Sequence, residues 1–191
     1  MSKDVSYNMY EGLAKKYGMS LQQAKANCDN MEQMAQDTGL EYNLDQTILT
    51  NTFDAHRLTM FAKAQGLMKE MTERILQAYF TEGKHIGDHD TLVQLAEEVG
   101  LDGNAVKEML AGKAMSDAVY TDELQAQQYG IRSVPFFLIN KKYSLTGAQP
   151  TETFVQALKQ VMSQDGPFTP IDLGGQDGVV CDENGCEIPK K

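Results

Sequence analysis

Residues 129–140 read YGIRSVPFFLIN, and this stretch decides the fold of the 191-residue chain. Gly130 ends a helical pattern, and Pro135 stands at the start of an apolar run of strand length. Because proline has no N–H to donate, it belongs at the first residue of a strand or at a sheet edge. It favours an extended conformation at Val134, and cis peptide bonds occur mainly before proline. The pattern alone predicts a helix-to-strand connection in which Val134 keeps its backbone groups available for pairing.

The sequence after Pro135 changes from helical to strand spacing. Residues 136–140 are a continuous apolar run, residues 140–142 form a polar turn, and residues 143–146 return as a second strand, which together predict a β-hairpin. A helix with an apolar inner face is predicted to begin at Pro150 and Thr151. From Ser163 onward the composition shifts to glycine, aspartate and proline, which is typical of a flexible acidic tail.

The sequence before residue 129 is predicted to be almost wholly helical. Ser20 with Gln23 three residues later forms a capping box at the start of one helix. That helix carries its apolar residues on one stripe: Leu21, Ala24, Cys28, Met31 and Ala35. Cys28 is therefore predicted to be a small buried hydrophobic residue and not a catalytic thiol. Glu70 and Arg74 are spaced for an ion pair on the exposed side of a later helix.

Three segments of the chain resemble a known family. GIRSVPFFLIN at 130–140, followed by KKY and by GAQP at 147–150, resembles the cis-proline segment of DsbA-like thioredoxin-fold proteins, and most of all their FrnE-like branch. NTFDAHRL at 51–58 and AYFTEG at 78–83 resemble the helical insert of that branch. The similarity runs from near Ser6 to about Met162, with a further match in the tail.

This resemblance implies an α/β thioredoxin-like fold of the DsbA type with a large all-α insert. We expect three regions: a helical insert domain over residues 1–128, the C-terminal half of the thioredoxin fold over residues 129–162, and the acidic tail over residues 163–191. The fold also needs a strand–helix–strand unit before the insert. Met1-Ser2 leads directly into a helical pattern, so we expect that unit to be absent and the chain to be mainly helical.

The resemblance implies a thiol–disulfide oxidoreductase or isomerase. In the family, the strand–helix–strand unit carries a Cys-x-x-Cys at a helix N-terminus, where the helix dipole lowers the thiol pKa. We therefore expect a truncated form that lacks the main nucleophile and has weak or no activity. Related hydroxychromene-carboxylate isomerases and kappa-class glutathione transferases place a serine there, so a glutathione-dependent isomerase or transferase is an alternative. A non-catalytic binding module is another.

The cis-proline segment and the tail cysteines are the predicted redox residues. By resemblance, Val134 aligns a substrate strand through backbone pairing, and Pro135 lines the site beside the reacting sulfurs. Ser133 sits where the family varies its redox tuning and is predicted to contact substrate. Cys181 and Cys186 form a C-x4-C pair that can bring two sulfurs together, although the neighbouring acidic residues disfavour the thiolate. By resemblance they exchange with the main active site as an auxiliary redox pair. The alternative is two incidental thiols.

The start of the helix near residue 52 is a predicted substrate contact. Asn51, His56 and Arg57 cluster on its first turns, with Thr52 as the predicted cap. By resemblance, this helix overhangs the thioredoxin-like site, so Asn51, His56 and Arg57 are predicted to contact substrate. The alternative is a helix cap with polar surface residues.

The charge and the cysteine content of the chain limit the classes of partner that it is expected to bind. A net charge of −10 and a pI near 4.7 argue against nucleic acid or an anionic membrane as partners. The opening Met1-Ser2-Lys3-Asp4 is no signal peptide, so a cytoplasmic protein is expected. Three cysteines are too few for a disulfide scaffold, and His85 with His89 supplies too few ligands for zinc, so no metal is expected.

The expected partners are protein or small-molecule thiols and disulfides. No bound cofactor is expected. Glutathione would be used only if the chain is a glutathione-dependent isomerase or transferase. Because a lone hairpin is only marginally stable, we also expect either a homodimer or partial disorder around residues 136–146.

Overall fold

A computed structural model describes residues 8–165 and the backbone of two short strands within residues 180–187. The chain divides into two compact units, Met1–Ala126 and Gln127–Lys191. Each unit is described below by itself.

The first unit is a bundle of helices, as the sequence predicts. Its helices are α1 (Met9–Tyr17), α2 (Leu21–Asp37), α3 (Phe53–Lys63), α4 (Met68–Phe80), α5 (His89–Glu98) and α6 (Gly103–Ala111), followed by α7 (Ser116–Gln128), which runs past the end of the unit. The capping box at the start of α2 is confirmed, since the Ser20 hydroxyl accepts from the Gln23 backbone N–H and the Gln23 side chain accepts from the Ser20 backbone N–H. None of the helices in the described part of the chain is long and apolar enough to cross a membrane.

The core of this unit lies between α3, α4, α5 and α6. Its largest fully buried apolar side chains are Leu58, Met71, Leu92, Leu95 and Val106. Burying one such side chain contributes about 1.5–3 kcal/mol relative to leaving it in water. These helices are therefore held together mainly by the burial of apolar surface, which also fixes the position of the start of α3.

Two sequence predictions for the helical unit need correction. In α2, Cys28 is buried as predicted at 2% exposure, but Leu21 and Met31 on the same stripe are more than half exposed. The buried residues of the stripe are Ala24, Cys28 and Ala35. The predicted exposed pair of Glu70 with Arg74 is wrong, because Arg74 instead bonds two carboxylates from elsewhere in the chain.

The second unit contains the predicted hairpin. Strands β1 (Phe136–Ile139) and β2 (Tyr143–Thr146) pair antiparallel. The turn places Asn140 and Lys141 at φ values of 52° and 56°, the left-handed conformation that type I′ hairpin turns require. Helix α8 (Thr151–Asp165) follows.

The hairpin and α8 are joined by two sets of contacts. The rings of Phe137 and Phe154 meet edge to face with centroids 4.8 Å apart. At the other end, the Asp165 carboxylate accepts hydrogen bonds from Lys142 Nζ at 2.9 Å and from the Tyr143 hydroxyl at 2.8 Å. These bonds lower the pKa of Asp165, the Lys142 bond most of all. Helix α8 thus continues past Ser163, where the sequence analysis placed the start of the tail.

Two short strands are described in the tail. Strands β3 (Val180–Asp182) and β4 (Gly185–Glu187) pair antiparallel with each other. The predicted flexibility of the tail concerns residues that otherwise lie outside the described part of the chain.

Candidate functional site

The segment before β1 presents an open backbone. The Val134–Pro135 peptide bond is cis, and the Val134 side chain is 88% exposed. The carbonyl of Pro135 accepts a hydrogen bond from the Gly147 N–H at 2.8 Å, which closes the hairpin at this end. Within the described residues, Val134 itself takes part in no backbone hydrogen bond. Ser133 is also exposed, so the predicted substrate-aligning residues lie at the surface of their unit.

A polar pocket of about 400 Å³ lies at the start of α3 in the helical unit. Of the three predicted substrate-contacting residues in this region, Asn51 and His56 line the pocket, and Arg57 does not. The other lining residues are Thr50, Thr52, Phe53, Asp54, Gly87, Tyr120 and Glu123. The rings of Phe53 and Tyr120 pack with centroids 5.1 Å apart and form an aromatic wall.

Asn51 has a structural role that the sequence assigned to its neighbour. Its Oδ1 accepts a hydrogen bond from the Phe53 backbone N–H at 2.9 Å, at the beginning of α3. Thr52, the predicted cap, makes no side-chain capping bond. Its φ and ψ of −89° and 4° lie outside the extended region that a capping residue usually adopts. Asn51 therefore caps the N-terminus of α3 and lines the pocket at the same time.

Arg57 lies inside the bundle and not at the pocket. It is only 4% exposed, and its guanidinium donates to Asp54 Oδ1 at 2.8 Å. Its remaining donors reach the backbone carbonyls at the C-terminal end of α6 and just beyond it, including that of Gly112 at 2.8 Å. The first-turn spacing that predicted a substrate contact instead places Arg57 on the inner face of α3, where it satisfies carbonyls that α6 leaves unpaired.

Two histidines extend the polar region around Asp54. His89 Nε2 lies 2.8 Å from Asp54 Oδ2, and His85 Nε2 lies 3.0 Å from Thr50 Oγ1. Each histidine therefore contacts a residue 35 positions away in the chain. Among the described residues, no group of three or more histidine, cysteine or acidic side chains is placed to hold a metal ion.

Some residues of the pocket carry no signal that sequence reasoning could use. Tyr120 and Glu123 come from α7, far along the chain from the start of α3, and His89, which contacts the pocket residue Asp54, is 35 positions away from it. Gly87 is required by its close packing, because a Cβ at this position would lie 2.1 Å from Thr50 Oγ1. The sequence alone does not indicate this contact, since a single glycine in a polar loop is common.

The three cysteines fall into two classes. Cys28 is buried in α2, and burial raises the pKa of its thiol, with Glu32 and Asp29 acting in the same direction. Such a thiol is a poor nucleophile. Cys181 in β3 lies directly opposite Cys186 in β4 in the backbone register. The cysteine predicted to be inert and the predicted redox pair thus belong to different units of the chain.

Comparisons with protein families, curated proteins and solved structures each find proteins similar to this chain. A family model of the DSBA-like thioredoxin domain matches residues 7–159. The uncharacterized protein YwbO of Bacillus subtilis is 33% identical over 131 residues, which are 68% of this chain and 65% of that protein. The chain therefore spans 65% of the length of this curated relative, slightly less than two thirds.

A solved structure is similar to this chain over 99% of its length. The crystal structure of a probable DsbA oxidoreductase from Streptomyces coelicolor matches with a TM-score of 0.80 and 36% sequence identity, and the match covers 99% of this chain and 80% of that chain. This match confirms the predicted thioredoxin-like fold with a large helical part. On the family match across residues 7–159, the chain belongs to the family of DSBA-like thioredoxin domains.

Proposed function

We propose that this chain takes part in thiol–disulfide exchange with protein or small-molecule disulfides. Membership of the DSBA-like family and the similarity to a probable DsbA oxidoreductase support this class of reaction. The observation that carries the proposal for these residues is the pairing of Cys181 with Cys186 across two antiparallel strands.

The pairing sets the distance between the two cysteines. Residues directly opposite each other on antiparallel strands have Cα atoms about 4.5 or 5.5 Å apart, depending on the hydrogen-bonding position. Disulfides need Cα separations of about 4.4–6.8 Å. The register of β3 and β4 is therefore compatible with reversible formation of a disulfide between Cys181 and Cys186.

The exchange proceeds in two balanced steps. A thiolate attacks one sulfur of the substrate disulfide, forms a mixed disulfide, and releases the other substrate sulfur as a thiolate that takes up a proton. The second thiolate of the pair then attacks the mixed disulfide, which releases the reduced substrate and leaves Cys181 and Cys186 oxidised. At the main site of the family, Val134 would pair with the substrate backbone, Pro135 would lie beside the sulfurs of that site, and Ser133 is a further proposed substrate contact.

The finer assignment is to the FrnE-like branch. In that branch a Cys-x-x-Cys supplies the main nucleophile, and the 191 residues contain no such motif. Acidic neighbours of the pair, such as Asp182 and Glu187, disfavour thiolates. We therefore assign Cys181 and Cys186 the role of an auxiliary pair that passes electrons to or from the main site, with a slow exchange of their own. Asn51 and His56, in the polar pocket, are the proposed substrate contacts of the helical unit.

A redox titration tests the role of the cysteines. The protein is equilibrated in glutathione buffers of graded ratio, alkylated, and digested with trypsin, which leaves both tail cysteines in the peptide of residues 160–190. We expect this peptide to change between a dithiol and an internal disulfide as a two-electron couple. Cys181→Ser and Cys186→Ser should each trap a mixed disulfide with glutathione, whereas Cys28→Ala should titrate like the unaltered protein. A peptide that stays reduced, or forms only intermolecular disulfides at every ratio, would overturn the proposal.

A matched pair of substitutions tests the docking role of Val134. Val134→Pro removes the backbone N–H, and Val134→Ala keeps it. With a peptide that contains an internal disulfide as substrate, the proline variant should carry out thiol–disulfide exchange more slowly than the alanine variant. Equal rates for the two variants would show that backbone pairing at this residue plays no part.

A further inference from the structure

A second cavity, distinct in character from the polar pocket, lies between α3 and α4. Its volume is about 490 Å³, within the range of about 300–1,000 Å³ typical of small-molecule sites. Buried Ala55, Ile75 and Ile86 form its floor, with exposures of 4%, 7% and 4%. His56 and Thr52 line both this cavity and the polar pocket. The cavity is thus an apolar site that opens beside a polar one.

The walls of the cavity are aromatic and thioether groups. Tyr79 and Phe80 both line it, and their rings meet edge to face with centroids 4.9 Å apart. Met60 on α3 and Met68 at the start of α4 stand on its sides. Thioether sulfur packs favourably against aromatic rings, and the flexible methionine side chain adapts to the shape of a ligand. These walls favour a flat aromatic ligand over an aliphatic chain.

One polar group in this apolar setting has no partner. No hydrogen bond of the Tyr79 hydroxyl is found among the described residues, and burial alone raises the pKa of Tyr79. Tyr79 is half-buried, so its hydroxyl stays available to donate a hydrogen bond to a ligand that enters the cavity.

The charges at the rim disfavour anionic ligands. Asp122 lines the cavity, and none of the described side chains that line it belongs to lysine or arginine. An anion would leave water with no lysine or arginine to pair with and would face the carboxylate of Asp122, which is unfavourable. We propose that the α3–α4 cavity binds an uncharged aromatic molecule with a hydrogen-bond acceptor, held by Met60, Met68 and Phe80 and anchored by the Tyr79 hydroxyl.

Methionine-methyl NMR tests this inference independently of any redox activity. The full chain, labelled with ¹³C at its methionine methyls, is titrated with 2-acetylnaphthalene, a neutral two-ring ketone. The resonances of Met60 and Met68 should shift and saturate, while that of Met34, exposed on α2 and outside the cavity, stays in place. The carboxylate analogue, 2-naphthoate, should bind at least about tenfold more weakly because of its charge.

Two pairs of variants locate the site. Tyr79→Phe removes only the hydroxyl and should weaken binding of the ketone by about 2- to 10-fold, the effect of one hydrogen bond. Thr72→Trp fills the cavity from α4 and should abolish saturable binding. Lys69→Trp, on the same helix but outside the cavity, should bind like the unaltered protein. Circular dichroism of each variant verifies that the helices are intact.

Four results would overturn the inference. The first is no selective shift of Met60 and Met68 up to the solubility limit of the ketone, or an equal shift of all methionines. The second is equal affinity for 2-naphthoate. The third is unchanged affinity in Tyr79→Phe, which would remove the anchor. The fourth is a dependence of the Met60 and Met68 shifts on protein concentration without any ligand, which would mean that a second copy of the chain occupies the cavity.

Discussion

Replacing Arg57 by methionine is expected to lower the free energy of unfolding of the helical unit by about 3–5 kcal/mol, the cost of breaking a buried ion pair from one side. Arg57 donates to Asp54 at 2.8 Å and to the carbonyls of Met109 at 2.5 Å, Gly112 at 2.8 Å and Ala114 at 2.9 Å. Methionine has a similar apolar stem but none of these donors. The substitution therefore isolates the guanidinium.

The size of the effect follows from what remains after the change. The Asp54 side chain is 8% exposed and loses the guanidinium, while His89 Nε2 still lies 2.8 Å from its Oδ2. The carbonyls at the end of α6 lose their donors, and each unsatisfied buried group costs about 1–3 kcal/mol before water enters. Because whole domains are stable by only about 5–15 kcal/mol, the variant should retain its fold but lose a large part of its stability.

Urea denaturation followed by circular dichroism measures this loss, since most of the described helices belong to the unit that contains Arg57. Lys63→Met is the matched control, an exposed cation on the same helix, and should change stability by no more than about 0.5 kcal/mol. Adding Asp54→Asn to Arg57→Met should recover part of the loss, with a coupling energy of about 0.5–3 kcal/mol. A loss in Arg57→Met no larger than that of the control, or strict additivity in the double variant, would refute the reasoning.

Three further predictions follow from single contacts. Asn51→Ala should lower the free energy of unfolding by about 0.5–2 kcal/mol through loss of its bond to the first N–H of α3, measured by the same urea series against Thr52→Ala as a near-neutral control. Arg74 lowers the pKa of Glu82 and of Glu98 from the ordinary 4.5. The contribution of these ion pairs to the free energy of unfolding is therefore present above pH 4.5 and disappears as the pH falls through the lowered pKa values. In Arg74→Gln the fall in stability below pH 4.5 should be shallower, as an acid titration of unfolding would show. Cys28 should react with a thiol reagent only in denaturant, and rapid modification in the native protein, detected by mass spectrometry, would contradict its burial.

Local sequence signals predicted much of the secondary structure. The capping box at Ser20 and Gln23 involves atoms three residues apart, and the hairpin after Pro135 depends on a change of periodicity and a polar turn. Such features are encoded in adjacent residues, so they can be recognised without knowing the fold. The burial of Cys28 was predictable for the same reason, because helical spacing places it among small apolar residues.

The direction of side chains at the candidate site was less predictable. Asn51 and His56 were predicted at the site and do line the polar pocket, but Arg57, predicted with them, turns into the bundle. A polar cluster on the first turns of a helix looks the same in sequence whether a residue faces a pocket or a neighbouring helix. The position of α6, whose last carbonyls need donors, decides the orientation of Arg57.

By itself, the sequence determined the helical bundle, the strand pair after Pro135 and the DsbA-like family, since caps, periodicity and short motifs are properties of neighbouring residues. Only the tertiary structure decided that Arg74 bonds Glu82 and Glu98 and not Glu70, and that His89 reaches Asp54. Those pairs join residues 8, 24 and 35 positions apart, so each connects different segments of the chain. Their choice depends on how the apolar core brings the helices together, because burial of apolar surface fixes which polar groups meet at its edge.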